Sequence, residues 1–276
     1  MHKRTKYEFK TQSQVASFQE KRSHDEIIIR DLIANNSLAV HFQPVFSIKE
    51  CRAIGNEALT TIEGFRPFPT IGDLFLKAKE SGVVASLDTK CRENALKEAA
   101  RQRFHEREEY LFINISPETL ADSAHTVEAM NMLSRESGIE RSRIILEITE
   151  GYAVDDLKRF REALDHYREE GYRTAIDDFG TGYAGLKMLS VIHPDYVKID
   201  RHFIDGIDGE MMKYNLVDSI ALACHRMGIG VIAEGVELKR QCDILLNLGI
   251  DLVQGYYFAK PSREMDVGAA ATENQE

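Results

Sequence analysis

The amino-acid sequence predicts an α/β protein, and more closely a modified (β/α)8 TIM-type barrel with one antiparallel strand at its start. Eight short apolar or β-branched runs alternate with longer segments of helical periodicity, which is typical of parallel strands joined by helices. The length of 276 residues suits one such barrel. A doubly wound open sheet is the rival fold, but no G-x-G-x-x-G motif follows a predicted strand.

The predicted elements begin after a polar arm, residues 1–25. Residues Asp25 to Ile33 carry apolar positions at helical spacing after an acidic start, and they predict a first helix. The eight predicted strands follow in the order Leu38–Phe46, Ala53–Ile62, Leu111–Ser116, Ile144–Glu150, Thr174–Phe179, Tyr196–Asp200, Gly230–Val236 and Leu252–Phe258. Amphipathic segments, several closed by glycine, predict helices between them, for example Asp155–Gly171, Met211–Met227 and Lys239–Gly249.

The first two strands are expected to form an antiparallel hairpin. Their connection, Ser47–Arg52, is too short to hold the crossover helix that parallel neighbours require. We therefore expect one barrel domain over residues 26–265, irregular at its start, and a polar tail over residues 266–276.

Composition narrows the classes of partner. The net charge of −10 disfavours binding to a nucleic-acid polymer or an anionic membrane, because both require a basic surface. No apolar stretch approaches the length of a membrane span, and the start lacks the layout of a secretory signal, so a cytoplasmic location is expected. The four cysteines lack C-x-x-C spacing and are expected to be reduced thiols.

Polar residues stand near the end of almost every predicted strand, where α/β barrels place their functional groups. They are Glu57, Asn114, Ser116, Glu147, Glu150, Asp177, Asp178, Lys198, Asp200, Glu234, Glu237 and Gln254. Several carboxylates that converge on one barrel mouth need compensating positive charge, and Lys198 supplies a single one. Mg²⁺ or Mn²⁺, which prefer carboxylate and amide oxygens, would balance the rest.

Each of these residues also has a plainer interpretation. An acidic residue such as Asp178 or Glu150 often caps the next helix, Asn114 is a frequent turn former, and Lys198 would serve as a solvated charge. The coincidence of polar residues at nearly every strand end favours a shared site. A zinc hydrolase is not expected, because the histidines stand singly and no Ser/His/Asp or Cys/His spacing occurs.

The adjacent pair Asp177 and Asp178 is the expected centre of this site. Neighbouring strand residues point to opposite faces, but the end of a strand can turn both toward one point. Gly180 and Gly182 follow on either side of Thr181, and they permit either a plain turn or a mobile loop over a substrate.

At these positions the chain resembles the EAL family of bacterial cyclic di-GMP phosphodiesterases, from about Leu38 to Pro261. The matching blocks are Glu57-Ala58-Leu59, Gln43-Pro44, Asn114-Ile115-Ser116, Glu147-Ile148-Thr149-Glu150, Asp177-Asp178-Phe179-Gly180-Thr181-Gly182, Lys198-Ile199-Asp200, Ala233-Glu234-Gly235-Val236-Glu237 and Gln254-Gly255-Tyr256-Tyr257-Phe258. The family's fold is a barrel with one reversed strand, which agrees with the expected hairpin.

The resemblance implies two divalent cations and a role for each matching residue. The first metal would be held by Glu57, Asn114, Glu147 and Asp177, and the second by Asp177, Asp178 and Glu234. Catalysis would involve Glu234, Lys198 at the attacking water and Glu150 as a brace for the loop after Asp178. Substrate would meet Gln43, Leu59, Asp88 and Gln254.

The implied reaction is hydrolysis of cyclic di-GMP to linear pGpG, inhibited by Ca²⁺ and abolished by Glu57→Ala. One departure favours an alternative function, a catalytically weak cyclic di-GMP receptor or protein-interaction module. Thr61 stands where family members commonly carry an arginine that meets a substrate phosphate. A phosphodiesterase acting on pGpG or another nucleotide is a third possibility. The family also implies a homodimer.

Overall fold

The computed structural model describes residues 24–64, 66–120, 123–149, 157–182 and 185–265. Eight strands close into a barrel in chain order, which confirms the predicted fold. They are β1 (Leu38–Ser47), β2 (Arg52–Ile62), β3 (Tyr110–Asn114), β4 (Ile144–Thr149), β5 (Arg173–Phe179), β6 (Tyr196–Ile199), β7 (Gly230–Ala233) and β8 (Leu252–Val253).

Helices surround the barrel. They are α1 (residues 24–34), α2 (Ile71–Ser81), α3 (Val84–Arg101), α4 (Pro117–Leu120), α5 (Ser123–Ser137), α6 (Leu157–Glu169), α7 (Gly185–Ile192), α8 (Arg201–Ile204), α9 (Met211–Arg226) and α10 (Lys239–Asn247). None of those in the described ranges has the length and hydrophobicity that a membrane span requires. The polar arm and tail stay predictions, since residues 1–23 and 266–276 lie outside the described ranges.

Strand β1 is the reversed strand. It pairs antiparallel with both β2 and β8, whereas all other neighbouring strands are parallel. Asp251 fixes the start of the connecting turn, because its carboxylate accepts hydrogen bonds from Ser47 Oγ and the Lys49 backbone N–H, each at 2.8 Å. The predicted hairpin is therefore confirmed.

The interior of the barrel is filled at its base by an apolar layer. Its residues come from five of the strands, and they are Val45, Phe112, Ile145, Ala175 and Ile232, with Tyr196 and Leu252 packed against them. Side chains alternate between the two faces of a strand. The residues between these positions accordingly face outward and pack against the helices in a second, larger core.

Helices α2 and α3 cover the side of the barrel next to β2. Thr70 caps α2 through a capping box with Asp73, and Gly82 ends the helix in the left-handed conformation (φ 75°). Leu74 and Leu87 bury the inner faces of the two helices against Ile62. These contacts position α3 as a wall beside the mouth of the barrel.

The last strand is much shorter than predicted. The sequence predicts Leu252–Phe258, but the ladder ends at Val253. Beyond that point Gln254 N–H donates to Ala233 O at 2.8 Å, and Val236 N–H donates to Gln254 O at 3.1 Å. The apolar residues that follow form a turn that packs on the barrel, so hydrophobicity overestimates the strand.

Candidate functional site

The polar site lies one layer above the apolar layer, and the strand period places it there. The residue two positions further along each parallel strand also points inward, about 6.6 Å higher. These inward positions are occupied by Glu57, Asn114, Glu147, Asp177, Lys198, Glu234 and Gln254. In β1 the polar residue, Gln43, comes two positions before Val45, because that strand runs the other way.

Lys198 lies at the centre of four carboxylates. Its Nζ is 2.9 Å from Glu57 Oε2, 2.8 Å from Glu147 Oε1, 3.1 Å from Asp177 Oδ1 and 2.8 Å from Glu234 Oε1. The lysine side chain is fully buried. One cation thus faces four acids that come from four strands, and the cluster lacks positive charge.

The carboxylates form two groups with the spacing of metal ligands. Oxygens of Glu57, Glu147 and Asp177 lie within 4.8 Å of one another, as do oxygens of Asp177, Asp178 and Glu234. Both oxygens of Glu147 and Oδ1 of Asp177 are buried, and Lys198 Nζ contacts Glu147 Oε1 and Asp177 Oδ1. Glu147 Oε2 makes no hydrogen bond within the described residues. An all-oxygen donor set with open lone pairs fits divalent cations, and Asp177 belongs to both groups.

Neutral side chains hold Glu57 in place. Gln254 Nε2 donates to Glu57 Oε2 at 2.8 Å, and Asn114 Nδ2 approaches Glu57 Oε1 at 3.4 Å. Gln43 Nε2 donates to the Ala259 backbone carbonyl at 3.1 Å, and its Oε1 is 3.5 Å from Gln254 Nε2. Gln254 and Asn114 therefore position the Glu57 carboxylate, and Gln43 supports Gln254.

Burial and mutual repulsion shift the titration of the cluster. Burial, aided by neighbouring carboxylates, raises the pKa of Asp177 and of Glu147. The same causes raise the pKa of Glu234 to about 8 and the pKa of Asp178 to about 6. Burial acts against the charge of Lys198, but the surrounding acids outweigh it and raise its pKa. The lysine is therefore a cation at neutral pH.

Glu57 is the exception among the acids. Burial acts to raise the pKa of this carboxyl as well, but its ion pair with Lys198 and its hydrogen bonds lower it overall. Glu57 is thus the carboxylate best supported in its ionised form.

Asp178 sits at a strained turn. Its φ of 53° lies in the left-handed region, which an aspartate tolerates better than most residues. Thr181 Oγ1 donates to the Asp178 carbonyl at 2.9 Å and closes the turn. A Cβ at Gly180 would lie 2.4 Å from the ring of Phe203, so glycine is required there.

Two cavities flank the acidic cluster. The first, here called the α2–α3 cavity, has a volume of about 630 Å³ and extends from the acids to helices α2 and α3. The second, here called the β8 cavity, has a volume of about 280 Å³ and lies toward β1, β7 and the end of β8. Glu57, Leu59, Asp177 and Asp178 border both. The cluster therefore has space for an elongated ligand on either side.

Two predicted site residues, Asp88 and Leu59, lie away from the cluster. Asp88 is buried in α3, where it accepts a hydrogen bond from Ser116 N–H at 3.0 Å and pairs with Arg92. Leu59 lines both cavities without reaching the base of the cluster. Glu150 lies outside the described residues. Asp200, a further strand-end acid, caps α8 by accepting from His202 N–H.

Sequence reasoning missed several residues that line the cavities. Phe75 and Arg92 contribute to the α2–α3 cavity, and Arg201 and Tyr256 to the β8 cavity. The first two stand inside helices, where no strand-end rule selects them. Arg201 directly follows Lys198-Ile199-Asp200, so its position after a strand was the available signal.

A closed barrel with a reversed first strand and a divalent-metal ligand set at its mouth defines a class of metal-binding α/β barrels. Within that class the chain belongs to the EAL domain family, whose model matches residues 27–261. Cyclic di-GMP phosphodiesterase PdeF of Escherichia coli is 31% identical over 239 residues, which cover 86% of this chain and 32% of that protein. The chain thus spans about a third of that relative's length.

Solved structures give the same fold. Klebsiella pneumoniae BlrP1 in its manganese and cyclic di-GMP complex has a TM-score of 0.74 at 28% identity, over 82% of this chain and 56% of that chain. A standalone EAL protein from Vibrio cholerae O395 in its cyclic di-GMP-bound form has a TM-score of 0.73 at 25% identity, over 83% of this chain and 94% of that chain.

Proposed function

We propose that this chain is a phosphodiesterase that hydrolyses cyclic di-GMP to linear pGpG with the help of two divalent cations, Mg²⁺ or Mn²⁺. The observation that carries the proposal is the presence of two clusters of acidic residues at the barrel mouth, each with the spacing of metal ligands and both containing Asp177. The relatives that are named cyclic di-GMP phosphodiesterases, and the neighbours that hold cyclic di-GMP, support this substrate.

Each member of the cluster has a proposed role. Glu57, Asn114, Glu147 and Asp177 hold one cation, and Asp177, Asp178 and Glu234 hold the other. When bound, such cations stabilise charge on a phosphate and lower the pKa of water. The net negative charge of the protein then does not prevent binding of an anionic substrate, because the bound cations would present positive charge at the site.

The reaction adds water across one ring phosphodiester bond. The water oxygen bonds to phosphorus, the bond from phosphorus to the 3′-oxygen breaks, and that oxygen leaves with a proton. Lys198 is cationic, so it donates hydrogen bonds and orients the water rather than accepting its proton. Gln254 keeps Glu57 in place, and we assign Glu150 to bracing the loop after Asp178.

Product analysis tests this proposal. Purified protein with Mn²⁺ or Mg²⁺ is incubated with cyclic di-GMP, and pGpG is quantified by chromatography. We expect turnover, and a loss of at least about a hundredfold in Glu57→Ala, since a metal ligand supports several kcal/mol of transition-state stabilisation. The matched control is Glu63→Ala, which removes an exposed carboxylate paired with Arg263 and is expected to retain activity.

A second candidate function is a cyclic di-GMP receptor. Thr61 is half-buried and lines the α2–α3 cavity, where it brings no charge to a substrate phosphate. Binding of cyclic di-GMP in the presence of Mn²⁺ without any release of pGpG would establish this function and overturn the phosphodiesterase.

Three further assignments remain proposals. We place Gln43 and Leu59 beside the substrate, because both line the β8 cavity. A homodimer is testable by sedimentation together with a titration of activity against protein concentration. The cytoplasmic location stays a prediction.

A further inference from the structure

The first half of strand β1 has an open edge. In an antiparallel pair, residues that bond to the neighbouring strand alternate with residues whose backbone groups point away from it. Glu63 N–H donates to Ser37 O at 2.9 Å, so every second residue of β1 from that point bonds to β2. The backbone groups of the residues between them, which include Leu38 and Val40, therefore point to the opposite edge.

This opposite edge is covered over part of its length. β8 pairs with the last two residues of β1. Further up, Phe42 N–H donates to Ser262 O at 2.7 Å, and Ser262 N–H donates to Phe42 O at 2.9 Å. The chain then turns away, because Met265 N–H donates to Gln102 Oε1 at the end of α3. Among the residues that the structure describes, the first residues of β1 are thus left without a neighbouring strand on this side.

Val40 has unused backbone hydrogen-bonding groups on the open edge. Asn94 Nδ2 of α3 donates to Leu38 O at 2.8 Å, but Val40 N–H and C=O have no partner on this side within the described ranges. Val40 is only 7% exposed. Backbone groups that are buried without a partner cost free energy. An added strand would satisfy both groups, as in the recognition of extended peptides at sheet edges.

A cavity lies against this edge. Here called the β1 groove, it has a volume of about 730 Å³ and lies between residues 38–40, the face of α3 that carries Asn94, and Arg263. The basic side chains among the described residues of its lining are all paired with carboxylates, and the pairs are Lys90–Glu93, Lys97–Glu93, Arg101–Glu98 and Arg263–Glu63. A small anion would find no unpaired cation there. The open backbone edge instead suits an extended peptide.

The N-terminal arm contains a segment that fits this description. Residues 5–11 lie outside the described ranges, and in their sequence, TKYEFKT, charged residues alternate with threonine or aromatic residues at the period of a strand. As a strand, the segment would place Tyr7 and Phe9 on one face and its charged residues on the other. The C-terminal tail is the poorer candidate, because residues 267–271 include a glycine and three alanines, which are depleted in strands.

The arm is long enough to reach the groove. Helix α1 spans residues 24–34, about 15 Å at the rise of an α-helix, and β1 begins shortly after it, at Leu38. Residue 24 therefore lies within about 30 Å of Leu38, whereas residues 12–23 can extend to about 40 Å. A tethered segment also has a high effective concentration, which favours docking.

We propose that the open edge of β1 in the β1 groove binds residues 5–11 as an added strand. This docking surface goes beyond the proposed phosphodiesterase function, and no residue of the acidic cluster takes part in it. The competing interpretation is that water in the groove solvates Val40. Hydrogen exchange separates the two, because a strand hydrogen bond protects an amide from exchange and solvation by water does not.

The test measures hydrogen exchange of Val40 N–H in the full chain at single-residue resolution. The variant combines Tyr7→Pro with Glu8→Pro, because two adjacent prolines remove a backbone donor from each edge of the segment. We expect Val40 N–H to be protected in the wild type and to exchange about tenfold or more faster in the variant. The matched control, Ser13→Pro with Gln14→Pro, places two prolines in the arm outside the segment and should keep the protection.

The amide of Ile145 on β4, inside the barrel sheet, is the internal reference. It should exchange equally slowly in all three proteins and thereby report an intact barrel. Equal exchange of Val40 N–H in the wild type and the Tyr7 and Glu8 variant overturns the proposal.

Two other occupants of the groove would also overturn the proposal. Protection that is lost on deletion of residues 266–276, but not in the Tyr7 and Glu8 variant, would show that the C-terminal tail binds there. Protection that grows with protein concentration would show that a second copy of the chain supplies the strand. Hydrolysis of cyclic di-GMP tests the proposed function separately, so the two proposals can fail independently.

Discussion

At the scale of single residues, Lys198 supplies positive charge inside the acidic cluster. Its ammonium group contacts four buried or half-buried carboxylates at 2.8 to 3.1 Å. Four converging acids would otherwise repel one another in a medium of low polarity. Lys198 is therefore an internal counter-ion of these carboxylates.

Lys198→Met should destabilise the metal-free protein strongly. Removing one partner of a buried ion pair costs roughly 3–5 kcal/mol, because the other charges remain buried and unpaired. Chemical denaturation in EDTA measures this loss, and added Mn²⁺ should restore more stability to the variant than to the wild type. Lys239→Met breaks an exposed pair with Asp243 and should cost at most about 0.5 kcal/mol. Equal stability of Lys198→Met and wild type in EDTA would contradict the counter-ion role.

The raised pKa values of Glu234 and Asp178 predict an unusual pH dependence. Both carboxyls have unfolded pKa values near 4, and their folded pKa values are about 8 and about 6. The folded state thus holds these protons more tightly, so the stabilisation is complete below about pH 4 and is lost as pH rises through the folded values. The melting temperature of metal-free protein should fall between pH 5 and pH 9.

Added Mn²⁺ and a variant at Glu234 test this predicted pH dependence of stability. Saturating Mn²⁺ should flatten the decline, because bound cations replace the protons. Glu234→Gln should reduce the slope between pH 6 and pH 9, whereas Glu106→Gln, at an exposed pair with Arg103, should not. A melting temperature that rises with pH over this window would refute the pKa shifts.

At the scale of elements, the end of β8 is fixed by a close backbone approach. A Cβ at Gly255 would lie 2.1 Å from Val236 O and 2.3 Å from Val236 N. This contact joins the segment after β7, which carries Glu234, to the segment after β8, which carries Gln254. Glycine is therefore required for the geometry of the site as well as for packing.

Gly255→Ala should impair both stability and function. Overpacking of this kind typically costs about 1–3 kcal/mol, and displacement of Gln254 would loosen its 2.8 Å hydrogen bond to Glu57. Thermal unfolding and the pGpG assay measure the two effects. Gly209→Ala is the matched control, because its nearest neighbour would be 3.9 Å from the new Cβ. Wild-type behaviour of Gly255→Ala would show that the segment adjusts freely.

At the scale of the whole molecule, the apolar residues that stabilise the barrel and the polar residues of the candidate site lie in different layers. The apolar layer fills the base, the titratable groups fill the mouth, and the helices bury the outer face of every strand. Such a division is general in α/β barrels, whose functional groups gather at the carboxyl ends of the strands.

Thiol reactivity reports on this global packing. Cys51 is exposed in the β1–β2 turn, whereas Cys91, Cys224 and Cys242 are buried. Burial raises the pKa of Cys91 to about 12 and those of Cys224 and Cys242 to about 11, and only thiolates react readily. A chromogenic disulfide reagent should label one thiol quickly in native protein and all four after unfolding. Because the three buried cysteines lie on α3, α9 and α10, rapid labelling of a second thiol would indicate that a helix does not stay packed on the barrel.

Much of this architecture was predictable because strand periodicity is a local property. The alternation Ile145, Leu146, Glu147 already assigns inward and outward faces, and the short Ser47–Arg52 turn already demands an antiparallel pair. The boundaries of β8 were predicted less well, because Tyr257 and Phe258 are apolar for packing in a turn rather than in a strand.

The sequence by itself determined the barrel, its reversed first strand and the acidic residues at the strand ends, since each follows from spacing along the chain. Only the tertiary structure decided which of these and other side chains come into contact. Barrel closure brings Lys198 to Glu57 across the interior, and helix packing brings Asp88 and Arg92 of α3 to the wall of the α2–α3 cavity. Such contacts depend on the relative placement of distant elements, which buried packing fixes and no local pattern records.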